Sequence, residues 1–161
     1  MKITALIAQH IKDVHEGNNW TEVNLAGTLK GVTVQEATTL TKASPNTIAS
    51  LLHHITFWNR VMIQRMQGIN VFIDEHNGYN VPVLQTDEDW IQLQIDNILS
   101  AHELAAAMVV FNESKLFTPL TEGGTSAYKN FQGSVEHIHY HLGQIVMLKK
   151  LIKAEADKEN L

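Results

Sequence analysis

The chain contains no cysteine in its 161 residues, which excludes a disulfide framework and leaves no thiolate to serve as nucleophile or metal ligand. Any ligand set must be built from nitrogen and oxygen. Charge is scarce as well: Asp, Glu, Lys and Arg make up 18% of the chain, against roughly 25% in an average soluble domain. The formal net charge is −5 with no Lys/Arg cluster, so the concentrated positive charge that nucleic-acid binding needs is missing. No apolar run approaches the roughly 20 residues of a membrane span. The opening segment is interrupted by Gln9, His10 and Lys12 before a secretory core develops, so a cytoplasmic protein is expected.

What the chain does have is apolar residues, 44% of the total, enough at this length for one domain with a proper core. They recur with helical period in four long segments. Residues 3–16 set Ile3, Ile7, Ile11 and Val14 on one side, with His10 at the stripe's edge, and stop at Asn18-Asn19. A long connection follows, with a short helix over 23–30 and a turn opened by Thr33-x-x-Glu36, the spacing of a capping box. Pro45-Asn46 opens the second long helix, which runs to about Gln67. The stretch His76-Asn77-Gly78-Tyr79-Asn80-Val81-Pro82 is too turn-rich to be continuous helix. Thr86 caps a third helix over 87–113, and Pro119, Gly123 and Gly124 mark the loop before a fourth, from about Ala127 to Ala156.

The third helix is apolar on two sides, with Trp90, Leu93, Leu104 and Met108 on one and Ile91, Ile95, Ile98 and Val109 on the other. A helix of that kind is central or faces a partner, and with so little charge the sequence predicts a homodimer. His102, on the second side, is expected to make a core hydrogen bond. The reading is an all-α fold in a single domain over residues 1–161, with long connections between helices 1 and 2, 2 and 3, and 3 and 4, unlike a simple hairpin bundle. Long connections often build binding loops, which makes His76, Tyr79, Tyr128 and Phe131 candidate pocket walls.

The chemistry lies in the histidines. In Glu136-His137-Ile138-His139-Tyr140-His141-Leu142-Gly143-Gln144-Ile145 two of them stand four apart, and residues at that spacing share a helical face. At about 100° per residue, His141, Gln144, Ile145, Leu148, Leu151 and Ile152 fall within about 80° of His137, so both rings belong to the apolar stripe. His139 falls about 200° round, among solvated residues. Burying an imidazole without partners costs on the order of 1–3 kcal/mol. Two arrangements avoid that cost: each ring finds a hydrogen bond in the core, or the pair holds a metal. A third ligand would tilt the choice. The best-placed candidate is His54, which shares the inward stripe of the second long helix with Leu51, Trp58, Val61 and Met62, whereas His53 lies at its polar edge.

Taken together, Leu51-Leu52-His53-His54-Ile55-x-x-Trp58 and His137-x-x-x-His141-x-Gly143-Gln144-Ile145 resemble the DinB-like superfamily. Trp20-Thr21-Glu22-Val23-Asn24-Leu25 and the acidic Asp87-Glu88-Asp89-Trp90 extend the similarity over nearly the whole chain. The resemblance implies a four-helix bundle that holds one divalent metal through His54, His137 and His141, usually as a homodimer. Some members resemble or are thiol-dependent transferases using bacillithiol-type or mycothiol-type cofactors, others are labelled metal-dependent hydrolases, and many have no assigned reaction.

Three neutral imidazoles bring no negative charge, so an ion held by them keeps its own charge and an open position; zinc, nickel, cobalt, iron and manganese all suit such a set. The zinc-protease arrangement is absent, because no glutamate follows His137 directly; Glu136 points about 100° away. Gln144 is a candidate to orient a ligand or substrate, or else to join two helices by a hydrogen bond, and Gly143 to permit close helix packing. The sequence therefore predicts a metal-dependent enzyme acting on a small-molecule substrate, a hydrolase or a transferase using a low-molecular-weight thiol. The competing reading is a non-catalytic helical homodimer with structural or adventitious metal binding.

Overall fold

Short polar side chains start most of the helices. Asn24 accepts a hydrogen bond from the Gly27 amide, and Thr33 with Glu36, Thr47 with Ser50 and Thr86 with Asp89 each form reciprocal capping boxes, which satisfy amides that the first turn of a helix leaves without partners. A computed structural model describes residues 2–159. Its helices are α1 (Ile3–His15), α2 (Leu25–Leu29), α3 (Val34–Thr38), α4 (Ile48–Met66), α5 (Asp87–Val110) and α6 (Ala127–Glu159), with a 3-10 turn at Glu113–Lys115. The described residues contain no named strand, only an isolated bridge between Pro119 and Ser126. The second long helix thus begins after Thr47 rather than at Pro45-Asn46, because the Thr47–Ser50 box sets its first turn. The third ends three residues earlier than expected and yields to the 3-10 turn.

The four long helices lie side by side, α4 and α1 each packing against both α5 and α6. Between them Ile11, Leu52, Ile55, Leu104, Met108, Ile138 and Ile145 are fully or almost fully buried. The connection after α1 is pinned over this core. The Trp90 indole donates to the Val32 carbonyl at 2.8 Å, and the Lys149 ammonium on α6 donates to the carbonyls of Thr28 and Lys30.

Only one side of α5 enters the core. Trp90, Leu93, Leu104 and Met108 are buried, whereas on the second side Ile91, Ile95 and Val109 stay exposed, as does Leu99, and Ile98 is half-buried. His102 follows the exposed side and pairs with the Glu16 carboxylate at the surface instead of bonding within the core. Among the described residues no helix is long and apolar enough to cross a membrane.

Candidate metal centre

His137 and His141 stand one turn apart on α6, and His54 faces them from α4. Their Nε2 atoms meet: His54 Nε2 lies 2.9 Å from His137 Nε2, which lies 3.0 Å from His141 Nε2. Three imidazoles sharing one ion at about 2.0–2.1 Å would hold their nitrogens roughly 3–3.5 Å apart, so these are already at or slightly inside that spacing.

The far nitrogens explain why the cluster cannot be satisfied by hydrogen bonds alone. His54 Nδ1 sits 2.6 Å from the Asn77 carbonyl, and a carbonyl only accepts, so Nδ1 carries the proton and Nε2 is a bare lone pair. His141 Nδ1 faces Gln144 Oε1 at 2.7 Å, which gives its Nε2 the same lone pair. A neutral His137 has one N–H to offer two lone pairs, and offering it at Nε2 would leave none at Nδ1. Protonating the rings is disfavoured too: burial pushes His54 down to about 4, burial and the two neighbouring histidines push His137 down to about 3, and burial lowers His141. Three neutral rings with converging lone pairs are a ligand set for a cation.

The loop before α5 supplies the support that the sequence reading did not find. Asn77 and Gly78 both have positive φ, 51° and 76°, and the turn they make aims two successive carbonyls at α4. Asn77 O receives His54, and Gly78 O receives His53 at 2.8 Å. A Cβ on Gly78 would lie 2.5 Å from the Phe57 ring, so glycine is required by conformation and by space alike. Tyr79 then stacks on His54, with ring centroids 3.9 Å apart and planes within 9°. The turn itself was legible from Asn77-Gly78. Its target was not, because a backbone carbonyl has no signature in the sequence.

The other histidines lie elsewhere. His53 turns to the loop, and His139 meets His10 on the surface with nitrogens 3.4 Å apart. Gln144 is placed on His141 as a support for that ring. His76 is exposed in the turn and lines none of the cavities around the cluster, and Tyr128 packs near Phe117 and accepts from Gln132 instead of reaching the histidines. Phe131 is fully buried against Phe111. Gly143 is exposed, with nothing within 4 Å of where a Cβ would stand, so it does not serve close helix packing.

Comparison of the chain with protein-family models, curated proteins and solved structures gives no match. Two cavities flank the cluster. One, of about 450 Å³, is lined by His54 and His137 together with Trp58, Met62 and Asn77. The other, of about 690 Å³, reaches His141, Gln144 and Tyr79 from beneath the connection that precedes α4.

Proposed function

We propose that this chain is a metal-dependent enzyme of the DinB-like four-helix-bundle type, acting in the cytoplasm on a small molecule through a divalent ion held by His54, His137 and His141. The observation that carries the reading is the convergence of three Nε2 atoms with at most one proton, that of His137, among them. Bound there, a divalent ion supplies Lewis acidity, bringing a coordinated water or thiol toward ionisation near neutral pH. The chain's own part is to bind and orient. The Asn77 carbonyl and Gln144 Oε1 hold two rings in the tautomer that presents Nε2, and such outer partners are worth about 10–100-fold in metal affinity or activity. Tyr79 fixes the plane of His54 by stacking on it.

The described side chains lining the cavities beside the cluster include no carboxylate to act as a general base, so the acidity needed to ionise a water or thiol would come from the ion that His54, His137 and His141 would hold. Either hydrolysis or thiol transfer meets that condition. Incubating zinc- or nickel-loaded protein with electrophiles, with and without a low-molecular-weight thiol, separates them: thiol-dependent product selects transfer and thiol-independent product selects hydrolysis. No product with any electrophile, from protein that binds no stoichiometric ion, would leave the non-catalytic helical dimer as the better account. Assembly as a twofold homodimer belongs to the same proposal and is supported by the apolar side of α5 that a single chain leaves exposed. Light scattering should give twice the 18.1 kDa chain mass.

A further inference from the structure

The cavity beside His54 and His137 has a one-sided chemistry. In a chain of net charge −5, its lining residues include no Asp or Glu and a single residue that carries a full charge, the exposed Lys129. Two more donors on its walls lack acceptors. The Trp58 indole N–H is buried without a partner, and His137, whose Nε2 meets the other two rings, has no acceptor at Nδ1 although its two companions do. One orphan acceptor, Asn77 Oδ1, stands among them. Buried polar groups left unpaired are costly, and two of them, Trp58 Nε1 and Asn77 Oδ1, belong to residues that line this one space next to the cluster.

The α6 wall keeps that space open. Lys129, Gly133 and His137 repeat every four residues along one face of the helix, and Gly133 has nothing within 4 Å of where a Cβ would stand. Glycine inside a helix costs roughly 1 kcal/mol relative to alanine, and at this position it leaves room above His137. From Lys129 to His137 the helix rises about 12 Å, so a ligand reaching both ends is a small extended molecule. Trp58 and Met62 give its middle an apolar wall.

We infer that this cavity binds a small carboxylate: the carboxylate pairs with the Lys129 ammonium at the mouth, an apolar body lies along Trp58 and Met62, and the far end reaches the three-histidine cluster. One ammonium balances one monoanionic carboxylate, whereas a phosphate dianion would be left half-compensated. The inference rests on the metal-centre reading only for what the far end meets.

The test uses calorimetry on the full chain with and without zinc, with 6-mercaptohexanoate and its neutral counterpart 6-mercaptohexanol as probes. The carboxylate should bind zinc-loaded protein about tenfold more tightly than the alcohol, the size of one charge-assisted contact. Lys129→Ala, an exposed position that leaves the core untouched, should bring the two probes within about twofold, and Gly133→Leu should weaken both by filling the space. Equal affinity of the two probes, binding of neither, or a preference that survives Lys129→Ala overturns the inference. A carboxylate preference that depends on Lys129 but is indifferent to zinc supports the carboxylate site and removes only the contact between the ligand's far end and the ion, whereas failure of the metal reading shows separately as protein that retains no zinc, so the two failures are distinguishable.

Discussion

Two groups of buried imidazoles sit in this molecule under opposite rules. His15, at the end of α1, is wholly buried, and each of its nitrogens has a matched partner: Nδ1 donates to the Ile11 carbonyl at 2.8 Å, and Nε2 accepts from Asn59 Nδ2 at 3.4 Å. The chain of donors continues from Asn59 to the Ser100 hydroxyl, from Ser100 to the Asn97 carbonyl, and from the Asn97 amide through Thr56 to the Leu52 carbonyl. Nothing is missing there. At His54, His137 and His141 the outer nitrogens are matched in two rings and the inner ones face one another. Burial therefore does not tell a structural histidine from a ligand. The direction of the unmatched lone pairs does.

The largest expected effect falls on the cluster. His137→Ala should abolish stoichiometric zinc or nickel binding in tag-free protein, read by metal analysis after dialysis, because the central ring of the three is removed. A variant that keeps one tightly bound equivalent would erase the contrast with His15. Gly78→Ala comes next. Its left-handed backbone costs roughly 1–3 kcal/mol for a residue with a Cβ, and the Phe57 clash adds to that, so denaturant unfolding should show a clear loss of stability. Zinc affinity should drop with it as the Asn77 carbonyl shifts off His54.

His15→Ala sharpens the comparison from the other side. It should cost about 1–3 kcal/mol by stranding Asn59 and opening a cavity while leaving the metal stoichiometry unchanged. Its pH signature also has a definite sign. Burial pushes His15 from 6.5 down to about 4, so below pH 6.5 the unfolded chain takes up a proton that the folded chain refuses. Stability is fully present above that pH and is lost as pH falls toward 4. Unfolding curves of metal-free protein should show that slope, and His15→Ala should make it shallower, with His54, His137, His139 and His141, all lowered by burial, contributing to what remains. The smallest effect is expected for Gln144→Ala, a loss of about tenfold in metal affinity with the three ligands retained.

What the sequence disclosed and what it hid follow the same divide. The phase of His54, His137 and His141 was readable, because helical period alone fixes which residues share a face and the apolar neighbours mark that face as inward. The all-helical class was readable for the same reason, as were the capping box at Thr33 and the cap at Thr86. Partners set by distant contacts were not. His15 and Asn59 are 44 residues apart, and Asn77 meets His54 through a carbonyl that any residue would carry. The second apolar side of α5 misled about His102, since a period in sequence cannot distinguish a face packed within the chain from one left open, and Glu16 was near enough to take the imidazole at the surface.

X-ray absorption at the zinc edge of tag-free, zinc-loaded protein tests the central claim most directly. Three imidazole nitrogens at about 2.0–2.1 Å, lost together with the bound ion in His54→Ala, are the expected result. An ion with no imidazole shell, or a shell unchanged by His54→Ala, would contradict it.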